Sequence, residues 1–423
     1  MRRYESYKDS GVEWLGEVPS HWDVKKLKYL AKLSPSKAEI IFNHEELCSF
    51  IPMEKLKLNT LVLDEIKQIK SVYSAYTYFR NEDLLIAKVT PCFENKNFAI
   101  AKNLVNSIGF GSSEIYVLRA YNNLFNKFLF YRLQEQNFME IAISKMSGTG
   151  GLKRVPSEFI NNFQLALPPY LEQQKIAQFL DDKTAKIDQA VDLAEKQIAL
   201  LKEHKQILIQ NAVTRGLNPD VPLKDSGVEW IGQVPEHWDV KKLKFVLTLS
   251  NKKEESKNSN KRYIGMENIE SFTGKINDTS LIAEGIANSF YKDEILFGKL
   301  RPYLAKSYLA DFNGICSTEF LVYRSTKVLD NRFALNIFLS YSFIDAVNAS
   351  TYGSKMPRAN VEFISNMFLA IPPLPEQKQI IDYLDTQTAK IDQAIALKTA
   401  HIEKLKEYKS VLINDAVTGK VRV

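Results

Sequence analysis

The sequence predicts a chain of two mixed α/β (α+β) domains, each followed by a long helix, with the two helices paired in a coiled coil. Three observations lead to this prediction. A segment of 21 residues occurs twice with only three differences. A second pair of segments has apolar residues every three or four positions over about 40 residues. The stretches between these pairs contain short runs typical of strands and helices.

The first doubled segment lies near the start of each copy. Lys8–Lys28 reads KDSGVEWLGEVPSHWDVKKLK, and Lys224–Lys244 reads KDSGVEWIGQVPEHWDVKKLK. All four tryptophans of the chain lie in these two segments. Since such identity does not arise by chance, the chain consists of two copies of one unit. We expect His21 and His237, which lie beside tryptophans at matching positions, to be structural.

The second doubled segment predicts two long helices. Each follows a Pro-Pro pair, and the first, from about Leu171 to Ala212, contains no glycine or proline. At 1.5 Å per residue it is roughly 60 Å long. A mean apolar spacing of 3.5 residues is typical of a coiled coil. The predicted seam consists of Leu180, Ile187, Val191, Ile198, Leu201 and Leu208 in the first helix and of Leu384, Ile391, Ile395, Ile402, Leu405 and Leu412 in the second.

A lone helix of this kind would expose its apolar seam, so each seam needs a partner. The simplest partner is the other copy, because both seams share one register and one length. The alternative is that each helix packs only on its own domain. Polar Thr184 and Thr388 occupy equivalent seam positions, and such residues can fix the register of a coiled coil.

The segments between the doubled ends, Tyr29–Leu167 and Phe245–Ile371, diverge in sequence and have 139 and 127 residues. Runs rich in β-branched and aromatic residues predict strands: LLIAKV, FAIAK, EIYVLRA, EILFGKL and EFLVYRS. Apolar periodicity predicts helices in NKFLFYRLQEQNFMEIAI and RFALNIFLSYSFIDAVNAS. A glycine-containing basic loop follows each helical stretch, GTGGLKR at Gly148–Arg154 and YGSKMPR at Tyr352–Arg358.

The sequence offers no convincing catalytic or metal site. Its three cysteines are far apart, its five histidines lack HExxH spacing, and GTGGLKR lacks P-loop spacing. LPPYLEQ at Leu167–Gln173 resembles the motif with which adenine-N6 methyltransferases bind the reactive amine, but a leucine side chain cannot accept that hydrogen bond. We therefore interpret it as a boundary before a helix. Without a long apolar run, a secretory signal or a disulfide framework, we expect a protein of the reducing cytoplasm with no membrane span.

The net charge of +6 permits a polyanionic partner without requiring one. Basic and hydroxyl side chains follow predicted strands at equivalent places in the two copies, and such side chains bind phosphates and base edges of DNA. The alternative for any one of them is an ordinary solvated surface. The candidate DNA-binding residues are Lys88, Thr90, Lys153 and Arg154 in the first copy and Lys299, Arg301, Tyr303, Lys355 and Arg358 in the second.

Taken together, the motifs resemble the specificity (S) subunit of type I restriction–modification enzymes. The resemblance rests on SGVEWLGEVPSHW and SGVEWIGQVPEHW, on LPPYLEQQKIAQFLD and IPPLPEQKQIIDYLD, and on the long helices, in that order in both copies. It implies a non-catalytic DNA reader for phage defence. Target-recognition domains at 1–170 and 217–374 would each contact one half of a split, asymmetric site. Spacer helices at 171–216 and 375–423 would form an antiparallel coiled coil that holds them at fixed spacing.

The resemblance also implies partners. Two modification (M) methyltransferase subunits would supply S-adenosylmethionine, and restriction (R) subunits would supply ATP- and Mg-dependent cleavage. The chain itself would bind double-stranded DNA and no cofactor or metal, in a prokaryotic cytoplasm. A free-standing sequence-specific DNA-binding adaptor without a methyltransferase partner is the alternative. A self-sufficient methyltransferase or nuclease is a further alternative, which the missing catalytic motifs disfavour.

Overall fold

The structure is a computed structural model that describes residues 2–40, 45–256, 259–277, 285–353 and 355–423. The chain divides into two compact units, residues 1–193 with 400–423, and residues 194–399. Each long helix therefore contributes one part to each unit. Over the described ranges, no helix is apolar enough along a sufficient length to cross a bilayer.

Unit 1 contains two four-stranded sheets, one antiparallel and one in which β5 and β12 run parallel. The antiparallel sheet has the order β11-β10-β13-β4 and the mixed sheet has the order β8-β5-β12-β9. The strands are β1 Tyr7–Asp9, β2 Glu17–Pro19, β3 Asp23–Lys26, β4 Ala31–Leu33, β5 Leu47–Ile51, β6 Leu56–Lys57, β7 Thr60–Leu61, β8 Ile66–Gln68, β9 Thr77–Arg80, β10 Leu84–Ala87, β11 Phe98–Ile100, β12 Ile108–Gly111, β13 Ile115–Ala120 and β14 Gln164–Leu167. The helices are α1 Ile69–Val72, α2 Asn126–Arg132, α3 Gln136–Ser144, α4 Ser157–Asn162 and α5 Tyr170–Arg215, of which the last continues into unit 2.

Unit 2 repeats this arrangement with one change at a sheet edge. Its antiparallel sheet has the order β18-β25-β22-β23, and its mixed sheet has the order β19-β21-β24-β20. The strands are β15 Leu223–Asp225, β16 Gln233–Pro235, β17 Asp239–Lys242, β18 Leu247–Ser250, β19 Lys253–Glu255, β20 Tyr263–Ile264, β21 Ile286–Phe290, β22 Ile295–Gly298, β23 Ser307–Leu309, β24 Gly314–Cys316, β25 Phe320–Ser325 and β26 Phe368–Ile371. The helices are α6 Leu243–Val246, α7 Asn331–Phe338, α8 Tyr341–Ala349, α9 Val361–Asn366 and α10 Leu374–Val417. The fourth strand lies beside β5 in unit 1 but beside β21 in unit 2.

The mixed α/β fold and the strand predictions are confirmed, whereas each predicted helical stretch divides into two helices. In unit 1 the break falls at Glu135, whose carboxylate accepts hydrogen bonds from the amides of Asn137 and Phe138 and so caps α3. In unit 2 the break falls at Ser340, whose hydroxyl donates to the carbonyl of Ile337. Side chains that satisfy free backbone groups favour a helix boundary at that place.

Within each unit the two long helices run antiparallel, and every predicted seam residue is buried or half-buried. In unit 1, Lys409 Nζ lies 2.7 Å from the carboxylate of Asp188. In unit 2, Lys205 Nζ lies 2.7 Å from Asp392. As the residue number rises along the first helix, the number of its partner on the second helix falls by the same amount, as antiparallel helices require. The predicted intramolecular pairing is therefore confirmed within each unit.

Thr184 bonds to the globular part of its own unit. Its hydroxyl lies 3.3 Å from that of Tyr131 on α2, and Tyr131 also donates to Asp181 at 2.8 Å. Thr184 therefore joins the helix to the globular part of its own unit, in addition to lying in the seam. Thr388 is half-buried at the equivalent place.

The Pro-Pro-x-x-Glu-Gln motif at the start of each long helix joins that helix to the rest of its unit. Gln173 is fully buried, accepts from the Phe125 amide and donates to the carbonyls of Asn123 and Pro168. Gln377 makes the equivalent three bonds in unit 2. Since both side-chain groups are used internally, the geometry supports the structural interpretation of LPPYLEQ.

The doubled tryptophan segment is likewise structural. Trp22 and Trp238 are completely buried. His21 lies 2.9 Å from Glu172, and His237 lies 2.8 Å from Glu376, the glutamates of the two Pro-Pro motifs. The doubled segment therefore fastens the start of each long helix in its unit.

Candidate nucleic-acid interface

The candidate interface of unit 1 is a loop held against the end of β10. The Val155 amide donates to the carbonyl of Lys88 at 2.9 Å, and the Lys88 amide donates to that of Glu114 at the same distance. The Thr90 hydroxyl donates to the Gly151 carbonyl and accepts from the Lys153 amide. Backbone bonds and one hydroxyl thus bring Lys88, Thr90 and the loop Gly148–Arg154 together.

Unit 2 builds the same arrangement with other side chains. The Ala359 amide donates to the carbonyl of Lys299 at 2.8 Å, and the Lys299 amide donates to that of Glu319 at 2.9 Å. The Arg301 amide donates to the Pro357 carbonyl at 2.7 Å, as the Thr90 amide does to the Lys153 carbonyl in unit 1. Thr90 and Arg301 are therefore equivalent positions that carry different side chains.

The two loop arginines are held by carboxylates. Arg154 makes a two-pronged ion pair with Glu114, with both N···O distances 2.9 Å. Arg358 makes the equivalent pair with Glu319, whose closest distance is 3.0 Å. The hydrogen bond from Arg154 lowers the pKa of Glu114, and the bond to Glu319 raises the pKa of Arg358. These guanidinium groups fix the loops, which limits their freedom to contact DNA directly.

Other candidate side chains remain available on the surface. Lys153 and Lys355 are exposed, and Tyr303 is 45% exposed. Lys88 Nζ lies 5.2 Å from the centre of the Tyr116 ring, so its ammonium is oriented by a cation–π contact. Lys299 is half-buried beside its loop.

Arg301 occupies an unusual backbone conformation. Its φ of +50° lies in the left-handed region, which residues other than glycine adopt rarely and which often occurs at functional sites. The bond from its amide to Pro357 holds that conformation in place, and Pro302 opens the short turn that follows. Its half-buried side chain is thereby directed by a fixed backbone.

Sequence reasoning missed the two glutamates that hold the loop arginines. A signal existed, since SSEIYVLR and STEFLVYR align the two glutamates just as the basic loops align the two arginines. The glutamate and the arginine therefore occur at equivalent positions in both copies.

Each unit thus presents a basic loop that is bonded to the end of a sheet. Such a loop can place ammonium groups on phosphates and direct a side chain such as that of Arg301 towards a base edge. Nothing in this arrangement combines a nucleophile, a general base and an oxyanion site among the described residues.

Comparison with known proteins places the chain in a family. The family described as "Type I restriction modification DNA specificity domain" matches residues 19–202 and 235–407, once in each copy. The EcoAI specificity subunit of Escherichia coli is 33% identical over 53% of this chain and 37% of its own length. The MjaVIII specificity subunit of Methanocaldococcus jannaschii is 24% identical over 96% and 94% of the two chains.

The first two curated relatives are matched over only about a third of their lengths, 37% and 32%. Solved structures agree in fold over nearly the whole chain. A chain of a type I R-M system superposes with a TM-score of 0.73 at 15% identity, covering 96% of this chain and 99% of that one. The HsdS subunit of Thermoanaerobacter tengcongensis gives 0.56 at 16% identity, covering 96% and 98%. With two matched domains that together span most of its length, the chain belongs to the family of type I restriction–modification DNA specificity proteins.

Proposed function

We propose that this chain is the DNA sequence-specificity subunit of a type I restriction–modification enzyme. The observation that carries the proposal is the repeated loop anchor, in which Lys88 and Lys299 are bonded alike although the segments around them diverge in sequence. One framework with two different surfaces suits a split target whose halves differ in sequence. Each unit reads one half, and the paired helices set the distance between them.

The catalytic chemistry belongs to partner subunits. Two methyltransferase subunits bind S-adenosylmethionine and transfer the methyl group, and restriction subunits use ATP and Mg to cleave unmodified DNA. The chain itself holds DNA in register and is not an enzyme. Its modest net charge of +6 suits a protein whose affinity for DNA depends on local loops and on the assembled complex. The complex acts in the prokaryotic cytoplasm, where its DNA target lies.

Methylome mapping tests this proposal directly. The chain and a methyltransferase that co-purifies with it are expressed in a host without other DNA methyltransferases, and methylated positions are mapped genome-wide. We expect a split asymmetric motif with a fixed spacer, which disappears when this chain is omitted. A contiguous motif, or methylation that persists without the chain, contradicts the proposal.

Co-purification separates the proposal from its nearest rival. A complex with methyltransferase, stable through size exclusion, supports a specificity subunit. A chain that remains alone and binds a specific DNA site under the same conditions is a free-standing adaptor. Isolated chain that binds S-adenosylmethionine or modifies DNA unaided contradicts both.

A further inference from the structure

A second feature recurs in both units and is not used by the candidate DNA-binding loops. The doubled segment ends in Lys-Lys-Leu-Lys followed by an aromatic residue, Tyr29 in unit 1 and Phe245 in unit 2. We call the two surfaces around these rings the basic–aromatic corners. Corner 1 comprises Lys25, Lys26, Lys28 and Tyr29, and corner 2 comprises Lys241, Lys242, Lys244 and Phe245.

The turn that forms each corner directs its ring outwards. In unit 1 the flanking Leu27 and Leu30 are buried, which leaves Tyr29 64% exposed. In unit 2 Leu243 and Val246 are buried in the same way, and Phe245 is 66% exposed. Exposing a phenylalanine ring to water to this degree costs free energy. That cost is recovered when another surface covers the ring.

The rings rather than their polar groups are what the corners share. Tyr29 carries a hydroxyl and Phe245 does not, so a partner that needs this position recognises an apolar ring. An ammonium group accompanies each ring, with Lys28 Nζ 5.3 Å and Lys244 Nζ 5.6 Å from the ring centres. The chemistry of each corner is therefore a ring beside a positive charge.

Each corner carries an excess of positive charge. Asp23 pairs with Lys25 at 3.0 Å, and Asp239 pairs with Lys241 at 2.8 Å. The remaining lysines of each corner have no carboxylate partner among the residues that the structure describes. In unit 2, Lys244 donates to the side-chain amide of Asn366, which leaves its charge uncompensated. The corners complement an acidic surface.

The corners lie away from the candidate DNA-binding loops of their own units. In unit 1, β13 begins beside Glu114, which holds Arg154, and its last residue, Ala120, pairs with Ala31 next to the corner. Six strand residues separate these places by roughly 17 Å. In unit 2, β25 likewise begins after Glu319, and Thr326 just beyond its end bonds to Val246. A position at the other end of the sheet favours a protein partner over the DNA that the loops would contact.

We infer that the two basic–aromatic corners are docking sites for two copies of one protein, the methyltransferase subunit, each presenting an acidic rim around an apolar hollow. This inference rests on the proposed function for the identity of the partner. Two equivalent corners, in units whose middle segments diverge, match a partner that is present twice and uses the same face each time. The ring fills the hollow and the lysines face the acidic rim.

Native mass spectrometry of the complex between the full chain and the co-purifying methyltransferase tests the inference. We expect Tyr29→Ser and Phe245→Ser each to remove one of two methyltransferase copies, or to weaken its binding at least tenfold, and the double variant to remove both. Lys28→Glu and Lys244→Glu should act in the same direction. The controls are Ile66→Ser and Ile286→Ser, which alter side chains that are 55% and 61% exposed on other parts of the two units.

The outcomes separate the inference from the proposed function. If the unaltered chain binds no methyltransferase, the proposed function fails and the partner assignment fails with it. If the unaltered chain binds two copies and the double variant also does, only the inference is overturned. A loss of DNA affinity by the variant chain alone, with the stoichiometry of the complex unchanged, also overturns it by making the corners DNA contacts. Unchanged thermal unfolding midpoints verify that the variants fold.

Discussion

A buried ion pair in unit 1, which uncharged residues replace in unit 2, allows a test of how much the pair contributes to stability. Arg132 and Glu135 are both completely buried in unit 1, with Arg132 Nη1 2.6 Å from the Glu135 carboxylate. The equivalent residues of unit 2 are Ile337 and Ser340, which are also buried. We therefore predict that the double variant Arg132→Ile/Glu135→Ser, which copies unit 2 into unit 1, folds with nearly unchanged stability.

The magnitude follows from what each change leaves behind. Burial lowers the pKa of Arg132, and its Nε and Nη2 have no hydrogen-bond partner, so the pair is incompletely satisfied. Removing one member leaves an uncompensated buried charge and should cost about 3–5 kcal/mol of unfolding free energy, whereas replacing both with uncharged residues is often neutral or stabilising by about 1–4 kcal/mol. The double variant also loses two favourable interactions. The helix cap made by Glu135 is worth about 1 kcal/mol. The cation–π contacts of Arg132 with Trp14 and Phe163, at 5.3 and 5.6 Å, are worth about 2 kcal/mol. These contributions nearly cancel.

Hydrogen exchange followed by mass spectrometry measures the effect locally. Peptides covering 126–144 report on α2 and α3, and peptides covering 331–349 in unit 2 are an internal control that should not change. We expect each single variant to accelerate exchange in the first segment by roughly 100-fold or more, since every 1.4 kcal/mol is tenfold. The double variant should stay within about tenfold of the unaltered chain. If its effect equals the two single effects combined, the charges do not depend on each other and the reasoning is refuted.

Three further predictions concern DNA contact, spacing and thiol reactivity. Arg301→Ala should weaken binding of DNA by the assembled complex by about 1–3 kcal/mol if the side chain reads a base. In gel-shift titrations the loss should be confined to one half-site. An equal loss on all DNA, with a weaker dependence of affinity on salt concentration, would make the residue a phosphate contact. Insertion of four residues near Ala199 should change the preferred spacer and leave both half-sites unchanged in a methylome, and an unchanged spacer contradicts the ruler. Burial raises the pKa of Cys48 to about 11 and of Cys316 to about 12, so at pH 8 a disulfide reagent should modify the partly exposed Cys92 first and the other two only on unfolding; three equally fast thiols would contradict the buried positions.

Much of this fold could be predicted because the chain contains two copies of one unit, which can be compared with each other. The helix expected from Leu171 to Ala212 extends from Tyr170 to Arg215. Its seam followed from periodicity alone, since a long apolar stripe requires a covering surface. The strands followed from short β-branched runs, whose residues lie buried in the sheets.

The features that could not be predicted depend on contacts between distant parts of the chain. The helix break at Glu135 depends on the carboxylate of this residue, which accepts hydrogen bonds from the amides of Asn137 and Phe138. Apolar periodicity does not predict such a bond. The use of Gln173 as a junction depends on the Asn123 carbonyl and the Phe125 amide, about 50 residues away in sequence. Likewise, the pairing with Glu114 gives Arg154, a candidate DNA contact, the additional role of holding its loop. Composition identifies a charged loop, but only the tertiary structure assigns each charge a partner.

The charges along the long helices explain why an antiparallel arrangement is favoured over a parallel one. Asp188 and Asp392 are equivalent positions of the two copies, as are Lys205 and Lys409. Parallel helices in the repeat register would place aspartate against aspartate and lysine against lysine, which is unfavourable. Antiparallel helices instead place each lysine on the aspartate of the other copy, at 2.7 Å in both units. An exposed pair such as Lys409–Asp188 contributes only about 0.2–1 kcal/mol, and the Lys205–Asp392 pair is partly buried. The main effect of the two pairs is to select direction and register, while the apolar seam supplies most of the stability.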